Sequence, residues 1–244
     1  MRPPPFPTRR AAARRLGAWL DRWVPRSCAL CGEQLAPRTF PGFCVPCLDA
    51  LPGARRPRCR RCGLPADERV CAGCAAAGVD RTITAADYAA PLDRVVTSLK
   101  FGRDLALARP LGELVAAAWL GSVEPAPLDC LVPVPLSPAR IAGRGFNQAL
   151  EMARAMARAL AAPLPVLPGA LVRTRDTPAQ SGLRLAERRT NLAGCFACPG
   201  RLDRMRVGVV DDVMTSGGTL AEAARTLRAA GAASVVALVA ARTP

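Results

Sequence analysis

The chain has 244 residues, 50% of them apolar and only 4% aromatic, enough for one ordinary domain plus a small one with a core built mainly from Ala, Val and Leu. With 34 basic against 19 acidic residues the formal charge is +15, a balance that favours nucleic acid, phosphorylated metabolites or an acidic membrane surface as partners. Histidine is absent, which excludes histidine acid–base chemistry, a Ser-His-Asp triad and every metal site that needs an imidazole.

In chain order, residues 1–24 come first as a basic, proline-containing tail leading into an amphipathic helix. Leu16, Trp19, Leu20, Trp23 and Val24 follow helical spacing, and Pro25 ends the run. Two roles suit such a helix: its tryptophans dock on the protein's own core, or its basic flank makes weak peripheral contact with an acidic membrane. The stretch "LGAWLDRWV" carries Asp21 and Arg22 and is too short to act as a transmembrane segment. A disulfide scaffold would normally accompany a secretory signal, so the chain reads as reduced and cytoplasmic.

Residues 25–78 are rich in Pro, Gly, Arg and Cys and have no long apolar period, so they need a staple to fold. Cys28, Cys31, Cys44 and Cys47 form two Cys-x-x-Cys pairs, and Cys59, Cys62, Cys71 and Cys74 form two more. Each pair can chelate one ion from a tight turn, and two pairs complete a tetrahedral thiolate shell. "CALCG" and "CRRCG" open as knuckles in which a glycine lets the backbone curl around a metal. Two sequential structural Zn2+ sites are the simplest assignment; a crossed pairing uses the same residues, and an iron–sulfur cluster is the competing metal. Arg55, Arg56, Arg58, Arg60 and Arg61 stand between the pairs, either as a solvated linker or as contacts to nucleic-acid phosphates. Cys195-x-x-Cys198 has no mate, and Cys130 reads as a core residue.

From residue 79 to 244 the texture changes to alternating strands and helices. "TITAADYA" over 82–89 predicts a strand, 91–100 and 104–120 predict helices around a basic turn, and "DCLVPVPL" over 129–136 predicts a buried strand. A helix comes next over 146–161, then a short strand within "VLPGALVR", and a polar, arginine-rich mobile loop over 174–190. "MRVGVVDD" predicts a strand, 218–230 a helix and "SVVALVAA" a last strand. Such alternation argues for an open, mainly parallel α/β sheet with helices on both faces, joined by right-handed crossovers.

The run "VGVVDDVMTSGGT" places Asp211 and Asp212 at the carboxyl end of a central strand, the edge where ligands bind in open α/β sheets. The residues after them begin a helix whose first amides have no internal partners and so form an anion site. Gly217 and Gly218 allow close backbone approach, and Thr215, Ser216 and Thr219 add hydroxyls. Carboxylates that accept from a sugar diol and sit near a divalent ion, beside amides that take a phosphate, suit one ribose 5-phosphate. A nucleotide P-loop is excluded because the turn has no lysine. Arg140 and Arg144 come after the 129–136 strand and can grip a diphosphate, with Asn147 and Gln148 orienting it. Lys100, the single lysine of the chain, is a candidate ligand contact or a solvated helix-end charge.

The acidic pair and its turn resemble the phosphoribosyl-pyrophosphate (PRPP) loop of the type I phosphoribosyltransferases. A broader resemblance spans nearly the whole chain and is to the ComF family, which includes the GntX-like proteins. It rests on "CALCG", "CRRCGLP", "YAAPLDRVVTSLKFGRD", "LVPVPLSPARIAGRGFNQ", "RTRDTPAQSGLRLAERRTN" and the last phosphate loop, in that order. The resemblance implies a small double zinc-binding module followed by a phosphoribosyltransferase-like domain. It implies that Asp211 and Asp212 meet the ribose hydroxyls and that Thr215, Ser216, Gly217, Gly218 and Thr219 grip the 5-phosphate. Arg173, Thr177, Gln180, Arg188 and Asn191 would close over the diphosphate by likeness to transferase loops.

Two functions are expected from these features. One is a PRPP-binding protein, with Mg2+, that transfers ribose 5-phosphate to a base or amine, Asp211, Asp212, Arg140 and Arg144 carrying the chemistry. The other is a non-catalytic accessory protein that binds single-stranded DNA alongside DNA-uptake proteins, uptake of transforming DNA being what the family is associated with. Scattered aromatics offer no stacking platform for single strands, which counts against the second.

Overall fold

The computed structural model describes residues 26–37, 39–71, 74, 78–122, 125, 127–175 and 193–244. The expected helix before Pro25, Thr177, Gln180, Arg188, Asn191 and the loop beyond Arg175 lie outside the described residues.

The amino-terminal part holds little regular structure: β1 (Arg26–Ser27) pairs antiparallel with β2 (Gln34–Leu35), and α1 (Val45–Asp49) is a short helix with proline in its first turn. Its order comes from the cysteine knuckles and from ties to the main sheet.

That sheet has four parallel strands in the order β3-β8-β7-β4, where β3 is Arg81–Asp87, β4 Cys130–Pro133, β7 Arg206–Met214 and β8 Ser234–Arg242. Among the described residues five helices accompany it: α2 (Leu92–Phe101), α3 (Ala108–Leu120) after a 3-10 turn (Leu105–Leu107), α4 (Pro138–Arg144), α5 (Gln148–Ala159) and α6 (Gly218–Ala229). Side chains alternate across the strands. Val210, Val236, Leu238 and Ala240 join one core with Leu92, Leu99, Leu111, Val115, Met152 and Met156 from α2, α3 and α5. Val207, Val209, Val235, Ala237 and Val239 join the other with Leu220, Ala223 and Leu227 from α6. Both faces are thus covered, which is why the two central strands read as unbroken apolar runs.

Helices α3 and α5 pack closely because Gly112 has no side chain. A Cβ at that position would collide with the Met152 carbonyl oxygen and stand 2.8 Å from the Ala155 methyl. The expected strand in "VLPGALVR" has two parts. Val166 bridges to Leu131 beside β4, and β5 (Val172–Arg173) pairs antiparallel with β6 (Phe196–Ala197).

The amino-terminal part is fastened to the sheet by specific bonds. Arg26 meets Glu113 of α3 at 2.8 Å, and Arg58 meets Asp87 of β3 at 2.8 Å, both pairs largely buried. The Thr82 amide donates to the Arg60 carbonyl at 2.7 Å and the Asp87 amide to the Pro52 carbonyl at 2.8 Å, so this part covers the outer edge of β3.

Candidate functional site

Strand β7 pairs with β8 as far as Met214, but its pairing with β4 ends at Val210. Asp211 and Asp212 therefore sit where β7 runs on beyond the end of β4, inside the strand rather than after it. Their carboxylates turn back on the backbone: Asp211 Oδ1 accepts from the Asp212 amide at 2.9 Å and Asp212 Oδ1 from the Val213 amide at 2.7 Å. Asp212 is buried, and its Oδ2 lies 2.9 Å from Lys100 Nζ at the last turn of α2. That contact is an ion pair without hydrogen-bond alignment, since Oδ2 has no hydrogen-bond partner. Burial, with the charge of Asp212 second, pushes the Asp211 carboxyl up to about 7, although Lys100 draws it down.

Arginines approach from α4. Ser137 caps this helix by accepting from the Arg140 amide, and Gly145, in the left-handed region at φ +84°, ends it. Burial pulls the Arg144 guanidinium below its usual range; Asp212 and Asp211 work against that shift and Arg140 adds to it, so the four charges share one field. Arg144 also lies over the Phe101 ring, 5.3 Å from its centre. Arg103 donates to the Gly143 carbonyl at 2.6 Å and ties the turn after α2 to α4. Arg173 donates to the Pro135 carbonyl at 3.4 Å and covers the Phe196 ring at 4.9 Å.

After Met214 the chain makes an exposed bend through Thr215 and Ser216, and Gly217 takes φ +79° at the N-cap of α6. The N-cap glycine offers this helix no side-chain cap, so its first turn presents backbone amides that suit an anion.

Of the two expected orienting residues, one has other work. Asn147 is the N-cap of α5: its Oδ1 accepts from the Ala149 and Leu150 amides, and its Nδ2 donates to the Val134 carbonyl at 3.0 Å. Gln148 is buried in the first turn of that helix, with Oε1 unpartnered. Phe101, Arg103 and Ser137 support the site without having stood out in the sequence. A proline after Ser137 was a legible cap signal; the other two contacts span elements and leave no local trace.

The cysteines gather into two groups, Cys28, Cys31, Cys44 and Cys47, then Cys59, Cys62, Cys71 and Cys74, each with all sulfurs within 4.8 Å of one another. This is the sequential grouping, not the crossed one. All eight are free thiols. Sulfur–sulfur distances of 3.7, 3.7 and 3.6 Å for Cys31–Cys44, Cys59–Cys74 and Cys62–Cys71 match the edge of a tetrahedron with metal–sulfur bonds of about 2.3 Å. Such crowding suits one ion and leaves no room for an iron–sulfur core. Gly32 and Gly63 take φ +76° and +70° after the second cysteine of each knuckle. Burial raises Cys28 and Cys59, but surrounding backbone N–H groups outweigh it and bring both down to about 6, whereas Cys74 is pushed up to about 12, first by burial. Both groups can therefore hold a thiophilic ion such as zinc.

A separate groove of about 850 Å3 runs between the amino-terminal part and β3 and α3, with Arg55, Arg56, Arg58, Arg60, Arg69 and Arg81 along it beside Asp49, Asp67, Glu68 and apolar side chains. Among the described residues no helix is long and apolar enough to cross a membrane.

The phosphoribosyl transferase domain family matches residues 147–244, which include α5, β7, the acidic pair, the turn and α6. The chain is 34% identical to the DNA utilization protein YhgH of Escherichia coli strain K12, over 87% of this chain and 95% of that protein. It is 31% identical to competence protein F of Haemophilus influenzae, over 62% of this chain and 68% of that protein. The chain belongs to the ComF family. Its fold is that of a phosphoribosyltransferase-like sheet preceded by a cysteine-rich double module.

Proposed function

We propose that the chain binds PRPP at the carboxyl end of β7. One observation carries the reading: an acidic pair, matched by Lys100 and Arg144, stands directly before an uncapped helix start with a left-handed glycine. Asp211 and Asp212 accept from the ribose 2- and 3-hydroxyls, the amides of 218–220 with Thr215, Ser216 and Thr219 take the 5-phosphate, and Arg140 and Arg144 face the diphosphate. The carboxylates, with the diphosphate oxygens, would hold a Mg2+ ion accompanying PRPP, which would supply positive charge beside the leaving group. If transfer occurs, an acceptor nitrogen bonds to the anomeric carbon as its bond to diphosphate breaks. The nitrogen then loses a proton and pyrophosphate departs. The acids stabilise charge growing on the ring, and the arginines stabilise charge on the leaving group, so histidine is not needed. By the likeness to transferase loops, Arg173, Gln180, Arg188 and Asn191 would add contacts to the diphosphate.

The two cysteine groups hold one structural Zn2+ each, which needs a reducing compartment and suits the cytoplasm. The names of the relatives, DNA utilization protein and competence protein F, favour a role beside DNA-uptake proteins.

A second reading has its own support. The arginine-lined groove and the charge of +15 favour single-stranded DNA as a partner, with PRPP as a ligand only or not used. Calorimetric titration with Mg-PRPP separates the readings: binding supports the first, and no heat from folded protein overturns it. Pyrophosphate release over a panel of bases and amines, with and without single-stranded DNA, then tests turnover.

A further inference from the structure

Arg242, the last residue of β8, is buried, with 8% of its surface exposed. Its Nε donates to the Cys62 carbonyl at 2.9 Å, and its Nη1 donates to the Met214 carbonyl at 3.2 Å and to the Thr243 carbonyl. Cys62 belongs to the second cysteine group; Met214 ends β7 and immediately precedes the Thr215–Thr219 turn. The Thr243 amide donates to the same Met214 oxygen at 3.0 Å. One guanidinium, 180 residues from Cys62 in sequence, therefore fastens a knuckle to the strand that carries the acidic pair.

The partners of this cation are neutral carbonyls, and among the described residues no carboxylate stands within ion-pair distance of it. A buried charge without a counter-charge is strongly disfavoured. The neighbouring Arg58 donates to the Gly63 carbonyl at 3.0 Å but is neutralised by Asp87. The negative charge left for Arg242 is the cysteine group itself: four thiolates around a divalent ion carry a formal charge of about −2. Among the described residues the first group shows no comparable tie, its neighbour Arg26 being paired with Glu113 of α3.

We propose that Arg242 is a positioning residue: it is the counter-charge of the second four-cysteine centre and clamps that centre to the exit of β7, so that metal held there keeps the Thr215–Thr219 turn in order. The proposal rests on zinc binding by the cysteine groups and not on PRPP.

The test uses the full chain and two readouts, zinc release to a colorimetric chelator and hydrogen–deuterium exchange of a peptide covering 213–221. R242M should surrender one zinc equivalent at least tenfold more readily than wild type while the other equivalent is unchanged, and R242K should retain it better than R242M. C71S should lose one equivalent and speed exchange over 213–221, whereas C31S should lose one equivalent and leave that peptide as in wild type. Should R242M not fold, the contrast between C71S and C31S carries the test alone. A folded R242M that keeps both equivalents with wild-type resistance, or a C71S protein with unchanged exchange over 213–221, overturns the proposal. Wild-type protein found to contain no zinc would instead overturn the metal reading, and the proposal with it.

Discussion

Lys100 Nζ stands 2.9 Å from Asp212 Oδ2, the lysine side chain 19% and the aspartate 4% exposed. The single lysine of the chain thus pairs with the more deeply buried acid of the candidate site, and it arrives from a helix more than a hundred residues earlier in sequence. Lys100→Met removes one partner and leaves a buried carboxylate without its ion pair, a change worth about 3 kcal/mol. Denaturant unfolding should show that loss. The double variant K100M/D212N should be less destabilised than the sum of its parts, which a double-mutant cycle measures.

Asp211 gives the protein a pH signature of opposite sign to the usual carboxylate. Its folded-state carboxyl lies at about 7 against an ordinary 3.8. Between those values the folded protein holds a proton that the unfolded chain has released, so this group makes stability fall as pH rises from about 4 to about 7. Below that window the contribution vanishes, and above it the destabilisation is complete. Unfolding curves for wild type and D211N across the window should diverge, with wild type losing stability more steeply toward pH 7. Parallel curves would mean the carboxyl titrates normally.

Gly217 occupies the left-handed region at φ +79° immediately before α6. Gly217→Val adds strain of about 1–3 kcal/mol and crowds the approach to the amides of 218–220. Ribose 5-phosphate affinity should fall at least tenfold while circular dichroism keeps its helical signal. Unaltered affinity would place the phosphate elsewhere.

Metal content checks the cysteine module directly. Protein purified without added zinc should carry close to two equivalents per chain, and a strong chelator should lower the melting temperature. One equivalent, or iron with visible absorbance, contradicts a two-zinc module.

Much of the sheet was legible because its signals are local. The "MRVGVVDD" strand extends to Met214 instead of stopping at Asp212, since β8 continues to pair with it after β4 has ended. The helix expected over 146–161 is Gln148–Ala159, and what precedes it is a separate helix, α4, closed by Gly145. Spacing alone left sequential and crossed cysteine groupings open; only the folded chain brings the sequential sets together. Asn147 shows how a polar residue ahead of a helix carries two readings, and here its side chain is taken by the N-cap. Arg242 and Phe101 have no distinguishing local pattern, because their contacts join residues far apart in sequence and an arginine ending an apolar strand is commonplace.

The central claim is that PRPP binds at Asp211 and Asp212, and calorimetry on wild type and the D211N/D212N double variant tests it most directly. Asparagine keeps the size of both side chains and removes both charges. A lost charged hydrogen bond is worth roughly 1.5–3 kcal/mol, so Mg-PRPP affinity should fall at least about tenfold in a variant that remains folded. Equal affinity in the two proteins would contradict the site.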